Sequence, residues 1–126
     1  YKKIFPLMYL PVTCSMRCTD IWRSLVAHNI LRRDKKKILF HGTSMHQERN
    51  FHNLNKDFEQ EIPMYLLNKK IYKVLNNLNF KSGTKNYSQN LISSYKILID
   101  KGFIDKKELF FLYAWLSDCR KLIKNL

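Results

Sequence analysis

Glycine, proline and cysteine are scarce in this sequence, which has three of each among its 126 residues. So little glycine and proline argues against a flexible linker or a low-complexity tract. An odd number of cysteines without a CxxC pair argues against a disulfide framework and against a zinc ribbon. We therefore interpret Cys14, Cys18 and Cys119 as small, mostly buried apolar side chains in a reducing compartment, and we predict a cytoplasmic protein.

Long apolar runs and the common ligand-binding motifs are missing as well. No segment reaches the ~18 apolar residues that a membrane-spanning helix needs, so we predict no membrane span. The sequence also contains no GxGxxG, GxxxxGK or HExxH motif. These absences argue against a Rossmann dinucleotide site, a P-loop and a zinc-protease site.

The chain has a strong excess of positive charge, with 23 basic and 10 acidic residues and a net charge of +13. Such a balance favours anionic partners, for example nucleic acid, sugar nucleotides or a membrane surface. Lysine outnumbers arginine by 17 to 6, and asparagine occurs 11 times, a composition that an AT-rich genome also produces. The charge alone therefore leaves both explanations open.

The residue pattern predicts an α/β part at the start of the chain. Residues 7–18 alternate loosely between apolar and polar side chains, which indicates an extended strand. Apolar residues at helical spacing follow over residues 21–31, and the apolar residues 38–40 indicate a second, short strand. The order strand, helix, strand predicts an α/β unit over residues 1–42.

The rest of the chain is predicted to be a polar loop followed by helices. Residues 43–60 contain no strand pattern and are interpreted as a site loop that runs into a helix start. Residues 61–126 carry apolar side chains at helical spacing, with Pro63 in a first helical turn and Gly102 at a helix end. We interpret residues 1–126 as a single, partial domain.

A first group of candidate site residues surrounds the predicted strand-to-helix turn. Arg17 and Arg23 flank Asp20 there, and such turns place side chains and backbone N–H groups where anions bind. Asp20 could be a general base that deprotonates an acceptor hydroxyl. Alternatively, Asp20 follows a Thr19 N-cap, complements the helix dipole and pairs with Arg23. The spacing alone favours this second role.

A second group lies at the end of the second predicted strand and in the polar run after it. His41 could coordinate a divalent metal or contact a phosphate, or it is a loop histidine without a ligand. Arg49 could bind a phosphate with two parallel hydrogen bonds. Asn50, His52 and Asn53 could hydrogen-bond sugar hydroxyls, or they form a polar helix start with local asparagine caps.

Two stretches of the sequence resemble the STELLO glycosyltransferase family. Tyr9–Val12, Arg17 and Thr19–Ser24 are similar to its LP…R.(S/T)DIWR(S/G) signature, and residues 47–58 are similar to its RN.H…DF block. The resemblance implies a partial GT-A-like domain that forms the C-terminal, acceptor-side portion of the enzyme. It also implies transfer of a sugar from a sugar nucleotide to a glycan or another acceptor.

The resemblance also assigns roles to the candidate residues. Asp20 is placed like the catalytic base, and His41 is placed like a ligand of a divalent metal, Mn²⁺ or Mg²⁺, in the full-length protein. The residues expected to bind substrate are Arg17, Arg23, Arg49, Asn50, His52 and Asn53. We expect Arg17, Asp20, Arg23, His41 and Arg49 to converge on one cleft.

The expected partner of this portion is an N-terminal half of the same protein that binds the donor. The sequence has no DxD pair, the acidic motif with which many glycosyltransferases hold the metal of the sugar nucleotide. We therefore expect this chain to be inactive alone. The alternatives are a basic nucleic-acid-binding module and a non-catalytic interaction module. We do not expect nucleic acid to be the partner, because the lysines are spread along the chain and no RRM, OB or zinc pattern is present.

Overall fold

A computed structural model describes residues 2–48 and 50–124 of the chain. Helices dominate this part, and no strand occurs in it. The four α-helices are α1 (Thr19–Arg33), α2 (Leu54–Asn76), α3 (Tyr87–Asp100) and α4 (Glu108–Lys124). Three short 3₁₀ helices accompany them, at Lys2–Met8, Met16–Cys18 and Thr84–Asn86.

The predicted α/β unit, and with it the partial GT-A-like domain, is wrong for the described residues. Residues 7–18, the first predicted strand, form the end of one 3₁₀ helix, an irregular segment and a second 3₁₀ helix. The alternation in this region has another cause: Leu7 and Tyr9 are buried among the helices as individual side chains. Because the backbone N–H groups of Val12 and Thr13 donate to a side chain of α4, they have no need of a partner strand.

The second predicted strand is wrong as well. Residues 38–40 have no regular structure. Their side chains are largely exposed, with 84% of Leu39 and 88% of Phe40 accessible to solvent. An apolar triplet becomes a buried strand only when a sheet covers it, and the described residues provide no sheet.

The helical predictions fare better, with one correction at Pro63. Helix α1 begins at Thr19, although Cys18 rather than Thr19 is the cap. Gly102 ends α3 with φ of 69°, the left-handed conformation that glycine tolerates. Pro63, however, lies inside the 23-residue helix α2 and not in a first turn.

The interior position of Pro63 has a structural consequence for the neighbouring turn. A proline within a helix disturbs the hydrogen bonds of the preceding carbonyl groups. The carbonyl of Gln60 lies in that turn, and it accepts a hydrogen bond from Ser15 Oγ at 2.7 Å. The thiol of Cys18 lies 3.6 Å from the same oxygen. The 3₁₀ helix Met16–Cys18 is therefore held against the middle of α2.

One core joins the four helices and the first residues of the chain. Every α-helix contributes buried side chains, and the largest contributions come from α1 and α3. The principal members are Leu7, Trp22, Val26, Ile30, Ile71, Leu75, Tyr87, Leu91, Tyr95, Leu98, Leu112 and Leu116. Burial of such side chains stabilises the fold by roughly 1.5–3 kcal/mol each before the entropy cost of ordering them. Within the described ranges, no helix has the length and apolar character needed to cross a membrane.

A buried carboxylate fastens the start of the chain to α4. Glu108, the first residue of α4, is fully buried. Its Oε2 accepts hydrogen bonds from Thr13 N at 2.8 Å and from Thr13 Oγ1 at 2.5 Å. Its Oε1 accepts from the Tyr9 hydroxyl and from Val12 N, the latter at 3.1 Å. Farther along α4, Trp115 Nε1 donates to the Pro6 carbonyl at 2.9 Å. These bonds set the path of the segment that leads to Arg17.

Candidate functional site

A polar cleft lies where the 3₁₀ helix Met16–Cys18 meets the N-terminal end of α2. It has a volume of about 310 Å³, and the described residues that line it are Arg17, Gln47, Asn50 and His52. We call it the polar cleft. All of these described residues except Gln47 are among the site residues expected from the sequence.

The carboxylate of Asp57 contacts two residues that line the polar cleft, Arg17 and His52. Its Oδ2 forms an ion pair with Nη2 of Arg17, and it lies 3.4 Å from Nε2 of His52. Nη1 of the same arginine lies 3.9 Å from a carboxylate oxygen of Glu61. The Asp57 side chain is 19% exposed, against 35% for Arg17. Such partial burial weakens solvent screening, so this pair orients its members more firmly than a pair on an open surface.

Local sequence explains why these groups meet at the start of α2. The Asn53 side chain caps the helix by accepting from Asn55 N at 3.0 Å and from Lys56 N at 3.2 Å. This cap fixes the direction in which the chain enters the helix, and His52 consequently lies over the first turn. Asp57 and Glu61 are four residues apart, which places both carboxylates on one face of α2. Ser15 holds the 3₁₀ helix of Arg17 against that face through the Gln60 carbonyl.

The side chains of the polar cleft suit a ligand with hydroxyl groups. Gln47 and Asn50 each carry a carboxamide, which both donates and accepts hydrogen bonds, as a hydroxyl does. The His52 ring is held between two acceptors, with Nδ1 2.9 Å from the Asn50 carbonyl oxygen and Nε2 facing Asp57. The guanidinium of Arg17 faces two carboxylates. Its charge is therefore compensated within the protein.

Four of the described residues expected at the site do not line the polar cleft: Asp20, Arg23, His41 and the helix cap Asn53. Asp20 is exposed in the first turn of α1, where its Oδ1 accepts from Ile21 N at 2.9 Å. Arg23 lines a different, smaller cavity of about 150 Å³ beside Ala27 and other residues. His41 is exposed, and its Nδ1 lies 2.7 Å from the carbonyl oxygen of the following glycine.

The expected convergence on one cleft is thus only partial. Of the four described residues expected to converge, Arg17, Asp20, Arg23 and His41, Arg17 alone lines the polar cleft. Asn50 and His52 join it there, and Asn53 acts as the helix cap behind them. Arg49 lies outside the described residues. The roles suggested for Asp20, Arg23 and His41 remain predictions.

A resident metal does not fit the described side chains. Residues 2–48 and 50–124 contain no group of three His, Cys, Asp or Glu side chains arranged to hold a metal ion. The His52–Asp57 pair supplies two donor groups, but the guanidinium of Arg17 already occupies the carboxylate and would repel a cation. A metal bound by His41 would need ligands from outside the described residues.

Asp57, Glu61 and Gln47 are the residues of this site that sequence reasoning missed. Asp57 lies in the second family-like block, although no role was assigned to it. The four-residue spacing of Asp57 and Glu61 is a signal only if one helix runs through both residues, and the sequence prediction instead begins a new helix at Pro63. On one continuous helix, that spacing indicates a carboxylate pair on one helical face that needs a cationic partner.

Comparison with known proteins identifies the family. No curated protein and no solved structure matches the chain. A family model does match, over residues 17–125, and its description is STELLO glycosyltransferases. The matched region begins at Arg17 and includes all four described residues that line the polar cleft. The match covers most of the chain and confirms the resemblance found in the sequence: this chain belongs to the STELLO glycosyltransferase family.

Proposed function

We propose that this chain supplies the acceptor-binding side of a glycosyl-transfer site, and that the polar cleft holds the acceptor. One observation carries the proposal. Arg17 and His52 are distant in sequence, yet both contact the carboxylate of Asp57. They line the cleft together with Gln47 and Asn50. These residues all lie inside the region that matches the family.

The charge of the polar cleft supports an acceptor rather than a sugar nucleotide. A diphosphate group is bound by cations or by free N–H groups whose charge is not already compensated. In the described part of the cleft, the one permanent cation is Arg17, and it faces Asp57 and Glu61. A neutral sugar needs donors and acceptors placed together, and the carboxamides of Gln47 and Asn50 provide both.

In this proposal the sugar nucleotide and the chemistry that activates it come from outside the described residues. The acceptor hydroxyl attacks the anomeric carbon, its proton passes to a carboxylate, and the nucleoside diphosphate departs. We keep Asp20 as the proposed base, because its carboxylate is exposed three residues after Arg17. An acceptor that reaches Asp20 has to extend beyond the polar cleft. We expect the chain alone to bind an acceptor without transferring sugar to it.

A divalent cation, Mn²⁺ or Mg²⁺, belongs to the proposal only through ligands outside the described residues. No step of the proposed acceptor binding depends on such an ion. The proposed work of this chain is to bind and orient the acceptor, through Gln47, Asn50 and His52, and to hold Arg17 in place through Asp57.

The proposal is tested by binding measurements on the chain itself. We would titrate ¹⁵N-labelled protein with a panel of neutral methyl glycosides and, separately, with UDP-glucose. The proposal expects at least one glycoside to shift the side-chain amide signals of Gln47 and Asn50 in a saturable way. UDP-glucose should leave those two signals unchanged. The reverse pattern, with UDP-glucose alone shifting them, would make the polar cleft a donor site and would overturn the proposal.

Substitution of Asp20, with Asp118 as the control position, tests whether the Asp20 carboxylate takes part in the chemistry. Asp20→Asn in an active full-length protein should reduce turnover by ~10²–10⁴-fold if Asp20 is the base. Its thermal midpoint should stay near that of the unmodified protein, because the carboxylate is exposed and loses only a first-turn dipole contribution of ~0.3–1 kcal/mol. Asp118→Asn, an exposed position on α4, is the matched control. Normal turnover of the Asp20 variant would leave Asp20 with a helix-start role and remove it from the proposed chemistry.

A further inference from the structure

A second cavity lies away from the polar cleft, at the end of α1. It has a volume of about 400 Å³. One wall is the segment Arg33–Lys36, and the other is the loop Ser82–Thr84. We call it the basic groove. Three of its seven lining side chains are basic, and its single acidic one is Asp34, so the lining carries a net charge of +2.

Asp34 holds the two walls of the basic groove together. Its Oδ1 accepts from Gly83 N at 2.7 Å, and its Oδ2 accepts from the Tyr87 hydroxyl at 2.6 Å. The hydrogen bond from Tyr87 and then that from Gly83 lower the pKa of Asp34, so the carboxylate is charged at neutral pH. Both carboxylate oxygens are engaged with the opposite wall. The separation of the walls is thereby set by the fold itself.

Lys35 occupies a backbone position that usually belongs to glycine. Helix α1 ends in a Schellman motif, with Lys36 N donating to Leu31 O at 3.2 Å and Lys35 N donating to Arg32 O at 3.0 Å. Lys35 has φ of 55°, and among the described residues it is the sole non-glycine residue with a positive φ. At the end of α3 the corresponding left-handed position is occupied by Gly102, with φ of 69°. A backbone outlier at a lysine, where glycine would carry no strain, makes Lys35 a candidate functional residue.

The groups facing the basic groove are the ones that phosphates prefer. No carboxylate among the described residues forms an ion pair with Lys35 or with Arg33, and Nη2 of Arg33 donates to the Leu78 carbonyl oxygen at 3.2 Å. On the opposite wall, the hydroxyl groups of Ser82 and Thr84 form no hydrogen bond within the described part of the chain. Ammonium, guanidinium and hydroxyl groups on two fixed walls give a phosphate both charge and hydrogen-bond donors.

We propose that the basic groove binds the phosphate groups of a small phosphorylated molecule. The cavity is larger than one phosphate, so we assign it a diphosphate or a phosphate with an attached organic group. Lys35 and Arg33 contact the phosphate oxygens from one wall, and Ser82 and Thr84 donate hydroxyl hydrogens from the other. This inference does not rest on the proposed acceptor site, with which the basic groove shares no lining residue.

The test uses inorganic pyrophosphate as the probe, titrated into the chain at about physiological salt, with binding followed by calorimetry. The key variant is Lys35→Gly. It removes the ammonium and also relieves the backbone strain, so its thermal midpoint should equal or exceed that of the unmodified chain. Its affinity for pyrophosphate should fall about three- to tenfold, the range between an exposed ion pair and a charge-assisted hydrogen bond. We therefore expect Lys35→Gly to bind pyrophosphate more weakly while its thermal midpoint does not fall.

Lys96→Gln is the matched control, because Lys96 is exposed on α3 and does not line the basic groove. Its affinity should stay within about twofold of the unmodified chain, since a distant exposed charge is largely screened. Equal losses in both variants would mean that pyrophosphate associates with the general positive charge, and the proposal would be wrong. It would also be wrong if the chain showed no saturable binding, or if duplex DNA bound tightly and Lys35→Gly left that binding intact.

Discussion

Glu108→Gln is the substitution whose effect on stability the structure specifies most fully. The carboxylate is fully buried and accepts from the Tyr9 hydroxyl, Val12 N, Thr13 N and Thr13 Oγ1. Glutamine keeps the shape but replaces one acceptor oxygen by an NH₂ group. In one orientation this group faces both donors of Thr13. In the other it faces Val12 N and the Tyr9 hydroxyl, which can turn to accept.

The expected cost follows from those contacts. With its NH₂ group toward Thr13, the amide opposes the Thr13 N–H; with the NH₂ group toward Tyr9, the Val12 N–H keeps only its 3.2 Å bond to the remaining oxygen. In both orientations the remaining hydrogen bonds lose their ionic character. Charge-assisted hydrogen bonds contribute ~1.5–3 kcal/mol, and an unsatisfied buried group costs ~1–3 kcal/mol. We expect a loss of about 2–4 kcal/mol in the free energy of unfolding. At about 3–5 °C per kcal/mol for a domain of this size, the thermal midpoint should fall by about 6–20 °C.

The assay is urea unfolding followed by circular dichroism, with a thermal scan as the second reading. Glu59→Gln is the matched control, because Glu59 is exposed on α2 and should change stability by no more than ~0.5 kcal/mol. The same spectra report whether helix content is retained below the transition. If Glu108→Gln unfolded within 0.5 kcal/mol of the unmodified chain, Glu108 would not fasten the first residues of the chain to α4.

Two further predictions concern the helix cap and the cysteines. Asn53→Ala removes the acceptor of two backbone N–H groups and should cost ~1 kcal/mol in urea unfolding, whereas Asn55→Ala, at the second residue of α2, should cost less; equal effects would contradict the cap. Burial raises the pKa of Cys14 to about 12 and also raises the pKa values of Cys18 and Cys119. Iodoacetamide at neutral pH should therefore modify all three cysteines much more slowly in the folded chain than in urea, and rapid labelling of the folded chain would show that the thiols are not desolvated.

The sequence predicts the helices better than the segments between them. Helix α1 follows from its apolar stripe, and the end of α3 follows from Gly102, because both signals are local. Pro63 was misplaced because proline favours a first turn. Inside α2 the missing proline N–H leaves the Glu59 carbonyl without its helical donor, and the carbonyl of the next residue, Gln60, accepts from Ser15 in a tertiary contact that no local pattern reveals.

The failure of the predicted strands has a similar cause. Loose alternation around Leu7 and Tyr9 looks like a strand, but each apolar side chain enters the helical core separately. The partner of this segment is Glu108, whose contacts reach back 95 to 99 residues along the chain. A single sequence gives no indication of that pairing.

The polar cleft was predictable in part. Its polar run identified Asn50 and His52 because clustered polar side chains in a loop are unusual, and Arg17 followed from the family-like signature. Asp57 was missed because its importance comes from an ion pair with a residue 40 positions earlier. Asp20 attracted attention through its place at a helix start, a position that also suits a carboxylate with no chemical role.

The most direct test of the account is the ligand preference of Asp57→Asn, with Asp118→Asn as control. The substitution removes the charge that orients Arg17 and His52, and it leaves the guanidinium less compensated. Binding of a neutral methyl glycoside that the unmodified chain recognises should weaken about three- to tenfold, the loss expected for one charge-assisted contact. Binding of UDP-glucose to the same cleft, which we do not expect in the unmodified chain, should become detectable because Arg17 is then less compensated. Unchanged affinity for the glycoside, in a variant that still folds, would show that Asp57 does not organise an acceptor site.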